Sequence, residues 1–133
     1  PGTDYWHTWD RTIREHLLRN KLISVDDLHL YECTDDVDHA VRVITKFYRN
    51  YHSMRFVHDK LVIRLQHAPS ESALRALNED FAEIMVGEKI RVCEPFIEER
   101  EDDQYLHLPR ICFDFDRRHY GRLRQLVDVL NTL

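Results

Sequence analysis

"FYRNYHSMRF", residues 47–56, sets four aromatics, two arginines and one histidine within ten positions. Two readings compete. As chemistry, His52 is a base and Arg49 or Arg55 an anion clamp. As architecture, a helix runs out and hands the chain to a strand. The upstream residues decide. Asp35 or Asp36 can cap a helix, because a carboxylate accepts the free N–H groups of a first turn. Val37, Ala40, Val41, Ile44, Phe47, Tyr48 and Tyr51 then recur at helical steps and form one apolar stripe. That periodicity carries the helix to about Ser53, with Arg49 and Asn50 pointing away from the stripe. "KLVIRLQ", from Lys60, alternates instead: Leu61, Ile63 and Leu65 share one face, Val62, Arg64 and Gln66 the other. The stretch therefore reads mostly as a helix end at a junction. Arg49, Tyr51, His52 and Arg55 become candidates for interdomain or assembly contacts.

Outward from the junction, Trp6, Trp9, Ile13 and Leu17 mark a first helix over residues 4–20, and a strand is expected over 28–33. On the other side, Ser70 opens a helix with Leu74, Leu77, Phe81, Ile84 and Met85 inward. Gly87 stands where a left-handed terminator is wanted. "KIRVCEPFI" and "LHLPRICFDFD" read as two strands of an antiparallel hairpin. The acidic "EEREDDQ" between them exceeds the usual hairpin loop and is expected to move. A last helix from about His119 turns Tyr120, Leu123, Leu126, Val127 and Leu130 inward. The order α-β-α-β-α-β-β-α predicts an α/β chain in two parts. Residues 1–55 form an αβα piece too poor in strands for its own sheet. Residues 56–133 form a βαββα sandwich of ferredoxin-like kind, incomplete by its last strand.

Bulk properties narrow the function. The 133 residues, 43% hydrophobic and 32% charged, suit a globular chain that buries about two-thirds of its unfolded surface. A net charge of −5 argues against nucleic acid or an anionic membrane as partner. No apolar run reaches the ~20 residues of a membrane span, and no signal peptide is visible. Cys33, Cys93 and Cys112 are odd in number and widely spaced, as expected of free thiols in the cytoplasm. Three glycines cannot build a glycine-rich phosphate loop. The nine histidines make no HxxxH or HxH pair, the nearest being His52 and His58, so neither a metal nor a cofactor is expected.

Two polar groupings invite chemistry. Asp114 and Asp116 share a strand face opposite Phe113 and Phe115, and paired carboxylates can divide acid and base roles. A solvated face beside Arg117 and Arg118 explains them more simply. Arg117, Arg118, His119, Arg122 and Arg124 crowd the start of the last helix, where positive charge opposes the macrodipole. Internal acids are the favoured counter-charge. A phosphate-bearing or nucleotide ligand is the alternative, held at Arg117, Arg118, His119 and Arg122; the chain would then be a stand-alone regulatory module.

Tyr5, Trp6, Leu22, Ile23, Ser24, Asp26, Asp27, Leu28, Leu30, Asp35 and Asp36 resemble the C-terminal end of the LOG, or lysine-decarboxylase-like, family. "FYRNYHSMRFVHDKLVIRL" and "LPRICFDFDRRHYGRLRQLVDVLN" resemble the added C-terminal module of a longer bacterial subgroup. The resemblance implies a parent enzyme of Rossmann-like fold that hydrolyses the N-glycosidic bond of nucleoside 5'-monophosphates. Its chemistry rests on a PGGxGTxxE motif, which "PGTD" at residues 1–4 does not match, so no catalytic residue carries over. The chain is expected to be a non-catalytic tail serving assembly or regulation. Its stripe over 37–51 would pair with a missing N-terminal Rossmann portion or with a second copy in a homo-oligomer.

Overall fold

The computed structural model describes residues 3–103 and 105–133. Pro1 and Gly2 of "PGTD", and Gln104 of the acidic stretch, lie outside them. Helix α1 spans Thr3–Thr12 and continues as a π-helical turn over Ile13–Leu18. A 3-10 turn follows over Asp26–Leu30, then α2 over Val37–Phe47. Strands β1 (Tyr51–Val57) and β2 (Lys60–Leu65) lead to α3 (Glu71–Asp80), with a 3-10 turn over Ala82–Ile84. Strand β3 (Arg91–Val92), helix α4 (Ile97–Glu101), strand β4 (Arg110–Phe113) and helix α5 (Tyr120–Leu130) complete the chain.

The fold is mixed α and β around one four-stranded sheet in the order β1-β2-β4-β3, antiparallel at every pairing. The alternation of β2 sets the layers. Leu61, Ile63 and Leu65 enter the main core with Ile111, Phe113, Leu77, Phe81, Leu126 and Leu130. Each such side chain, taken wholly from water, contributes about 1.5–3 kcal/mol. Val62 turns to the opposite face and packs with Val57, Cys112, Cys93 and Phe96. Both faces of the sheet are therefore covered.

Several expectations are corrected. Residues 28–33 form no strand: Asp26–Leu30 is a 3-10 turn, fixed when Asp27 accepts the Ser24 N–H and hydroxyl at 2.8 and 3.1 Å. Helix α2 stops at Phe47, well short of Ser53, and Tyr51 starts a strand that includes position 55. Asn50, expected outside, is 2% exposed. The acidic stretch is in part the helix α4 rather than a free loop, and the preceding strand shrinks to Arg91–Val92. Gly87 has no left-handed φ. Its hydrogen instead makes room for the Asp114 carboxylate, which a methyl there would overlap. Tyr120 is half-exposed rather than inward.

Candidate functional site

Of the arginines at the head of α5, Arg117, Arg122 and Arg124 have side-chain partners within the chain. Arg117 donates to the His58 carbonyl at 2.9 Å and lies 4.3 Å over the Phe56 ring. Asp116 accepts the Arg118 and His119 N–H groups at 2.9 and 3.1 Å and pairs with the His119 ring. Burial raises the Asp116 pKa, but these hydrogen bonds outweigh it and hold the carboxyl below its ordinary range. Arg122 pairs with Glu83 at 2.6 Å, donates to the Asp80 carbonyl and stacks over Phe81. Arg124 pairs with Asp128 at 3.1 Å over Phe47. The negative charge required at this helix start is thus Asp116.

Asp114 and Asp116 lie past the end of β4 with side chains 19% and 9% exposed, not on a solvated strand face, and each is committed separately. Lys60 pairs with Asp114 at 2.8 Å and with Glu88 at 3.1 Å. Neither aspartate meets His52, whose ring packs 4.4 Å from Tyr105 and whose Nδ1 lies 3.0 Å from the Ser53 hydroxyl. Of the other junction residues, Tyr51 is buried in the main core, Arg49 is exposed, and Arg55 pairs with Asp102 of the α4 end at 2.5 Å. Tyr51 is placed by Asn131, whose Oδ1 accepts the Asn50 and Tyr51 N–H groups, both at 2.8 Å.

The charged cluster least visible in the sequence lies under α4. Glu99 is fully buried, and its Oε1 accepts from Arg64 at 2.8 and 3.1 Å and from Arg110 at 2.7 Å. Its other oxygen accepts the Phe96 N–H at 3.2 Å, closing the first turn of α4. Burial pushes the Glu99 pKa up, but Arg64, the Phe96 N–H and Arg110 together pull it below the ordinary value. Arg110 also donates to the carbonyls of Tyr105 and Leu108 at 2.6 and 3.1 Å. Among the described residues no buried side-chain nitrogen or oxygen lacks a hydrogen-bond partner, which marks this cluster as a structural fastening. The only signal in sequence was Arg64 on the second face of β2, at a position where an apolar residue belongs.

A third place lies between α1 and residues 31–34, where Trp6, Trp9, Tyr31 and Cys33 line an open cleft. Tyr31 donates to Asp10 at 2.7 Å, and Arg14 holds the other Asp10 oxygen at 2.9 Å. Burial and the Asp10 contact push the Tyr31 pKa up to about 12. The phenol stays protonated at neutral pH and serves as a donor, not a base. Among the described residues no three His, Cys, Asp or Glu side chains converge as a metal site, and no helix is long and apolar enough to cross a membrane. No family model matches the chain, and neither the curated proteins nor the solved structures match it.

Proposed function

We propose that this chain is a non-catalytic C-terminal portion of a LOG-like nucleoside 5'-monophosphate phosphoribohydrolase, and that it holds the catalytic part of that protein in its assembly. One observation carries the assembly role. Val37, Val41, Ile44 and Tyr48 of the α2 stripe are 75, 55, 59 and 55% exposed, and no residue of α2 is buried. An eleven-residue helix is marginal in water by itself, so this stripe needs a partner that covers it. A Rossmann-like nucleotide-binding domain, with helices packed on a sheet, offers such an apolar surface. The internal pairing of Arg117, Arg122 and Asp116 leaves the alternative, a small-anion module, with less support.

The reading is tested first on the coding sequence ahead of Pro1. An in-frame domain with a PGGxGTxxE motif is expected; a coding sequence without one overturns the proposal. The joined protein should release base from nucleoside 5'-monophosphates. In it, an Ile44→Cys thiol should resist alkylation, whereas in the present chain it should react freely.

A further inference from the structure

The two tryptophans of the chain stand in one place. Helix α1 sets Trp6 and Trp9 three residues apart, so their indoles share a face. Their rings lie 6.4 Å apart with planes crossing at 80°. On the facing segment, Tyr31 leaves the 3-10 turn in extended conformation and brings its ring 5.1 Å from Trp9, at 84°. In an edge-to-face pair one ring touches with its edge and keeps its own faces open. Trp6 and Trp9 are accordingly 48 and 41% exposed. The Tyr31 hydroxyl is fixed by Asp10, whose other oxygen Arg14 holds, so this wall is set before anything binds. The cleft that the three rings share with Glu32 and Ala40 measures about 350 Å³, within the ~300–1,000 Å³ of small-molecule sites.

We propose that Trp6, Trp9 and Tyr31 form an aromatic box for a trimethylammonium group, the head of a small organic cation of the choline kind. Ring faces are electron-rich and attract a cation within about 6 Å, indole most strongly. Elsewhere the chain satisfies this attraction internally: Arg124, Arg117, Arg122 and Arg64 lie 4.3–5.6 Å over Phe47, Phe56, Phe81 and Tyr105. Among the described residues no cation lies over either tryptophan.

The surrounding charge selects the sign of the ligand. Glu32 lines the cleft, and Asp35 borders the adjoining hollow beside Trp6 and Cys33. Arg14, on the far side with His7, is engaged by Asp10. His39 contacts Glu32 and His7 stands beside Trp6, so the acidic rim attracts a cation best where imidazoles are uncharged. A bare ammonium is strongly hydrated and would need acceptors that ring faces do not supply. Three methyl groups cover the same charge with apolar surface, which the box can bury.

The experiment titrates the folded chain with choline chloride at mildly alkaline pH and follows tryptophan emission, which Trp6 and Trp9 alone supply. Sodium chloride at equal ionic strength and the neutral tert-butyl isostere, with carbon in place of nitrogen, run alongside. Choline should give a saturable change. The isostere should bind at least about tenfold more weakly, the ratio that ~1.4 kcal/mol of cation–π attraction supplies. Glu32→Gln should weaken choline several-fold and leave the isostere unchanged. Trp6→Leu and Trp9→Leu each keep one reporter, and each should weaken choline about tenfold. Circular dichroism checks that both fold; should either fail, Glu32→Gln, on an exposed side chain, carries the test. Equal binding of choline and its isostere overturns the proposal, as does a change that never saturates or that persists undiminished in both leucine variants. A trimethyl-lysine peptide tells the source of the group: binding no tighter than choline supports a free small molecule, and tighter binding overturns that assignment.

Discussion

Helices α2 and α5 are the same length, eleven residues each, and both carry an apolar stripe. In α5 Gly121, Leu123, Leu126, Val127 and Leu130 are all buried, whereas in α2 none is. The difference lies in what each helix faces. Helix α5 lies against a sheet whose inner residues alternate toward it; α2 lies at the margin, with its end tied down and its stripe in water. Amphipathic spacing thus states that a helix has a partner without stating whether that partner is in the same chain.

Cutting the better-packed helix is expected to have one of the two largest effects. Leu126→Ala should cost about 2–5 kcal/mol in urea unfolding, while Ile44→Ala should change stability by about 0.5 kcal/mol or less. Equal losses would break the comparison, since α2 would then be buried in solution. Glu99→Ala should cost about 3–5 kcal/mol, because Arg64 and Arg110 would be left buried without a counter-charge. Its pH dependence follows from the same contacts. The folded-state pKa of Glu99 lies below the unfolded one, so its stabilisation is complete above the unfolded value of ~4.3 and is lost as pH falls through the lower folded value. Acid titration of unfolding should show this loss in the parent chain and less of it in Glu99→Ala.

Asn131→Ala is expected to cost about 1–3 kcal/mol, by leaving two buried N–H groups unpaired. Its mark is faster amide exchange at Asn50 and Tyr51 than at the middle of β2. Gly121→Ala should act on one margin of the fold rather than on the sheet. The Asp26 carbonyl and Asp27 amide sit where the new methyl would go, so residues 26–30 should leave α5 while the sheet persists. Hydrogen exchange that rises at Asp26–Leu30 alone would confirm this; collapse of the whole fold would show the margin and the sheet to be one cooperative unit.

Much of the sheet unit could be read in advance. The alternation of Leu61, Ile63 and Leu65, the Ser70 cap and the α5 stripe are local patterns, and each is present. Ser70 accepts the Ala73 N–H at 3.2 Å, as a capping serine should. What failed depended on distant partners or on a local side chain that captures the backbone. Tyr51 fits the helical period and the strand equally well, and Asn131, eighty positions away, chooses the strand. Leu28 and Leu30 fit a strand by composition, yet the Asp27 side chain turns that backbone into a 3-10 helix. Glu99 sits among acids that are otherwise solvent-facing, so nothing local distinguishes it from Glu98 or Glu101. The arginine patch was visible as charge; its pairing with Asp116, Glu83 and the His58 carbonyl required the fold.

The Asn50–Asn131 clamp has a consequence for the order in which this protein is made. Asn131 holds the Phe47 carbonyl as well as the Asn50 and Tyr51 amides, and Asn50 returns a bond to the Leu130 carbonyl at 2.9 Å. These groups cannot be satisfied until Leu130 and Asn131 have left the ribosome. Synthesis proceeds from the N-terminus at about 5–20 residues per second, so the entrance to β1 waits through the making of everything after it. During that interval the junction has only its ring contacts and the Asn50 bonds to Gln66 and His67, and the cap of α5 is the latch that shuts the middle of the molecule.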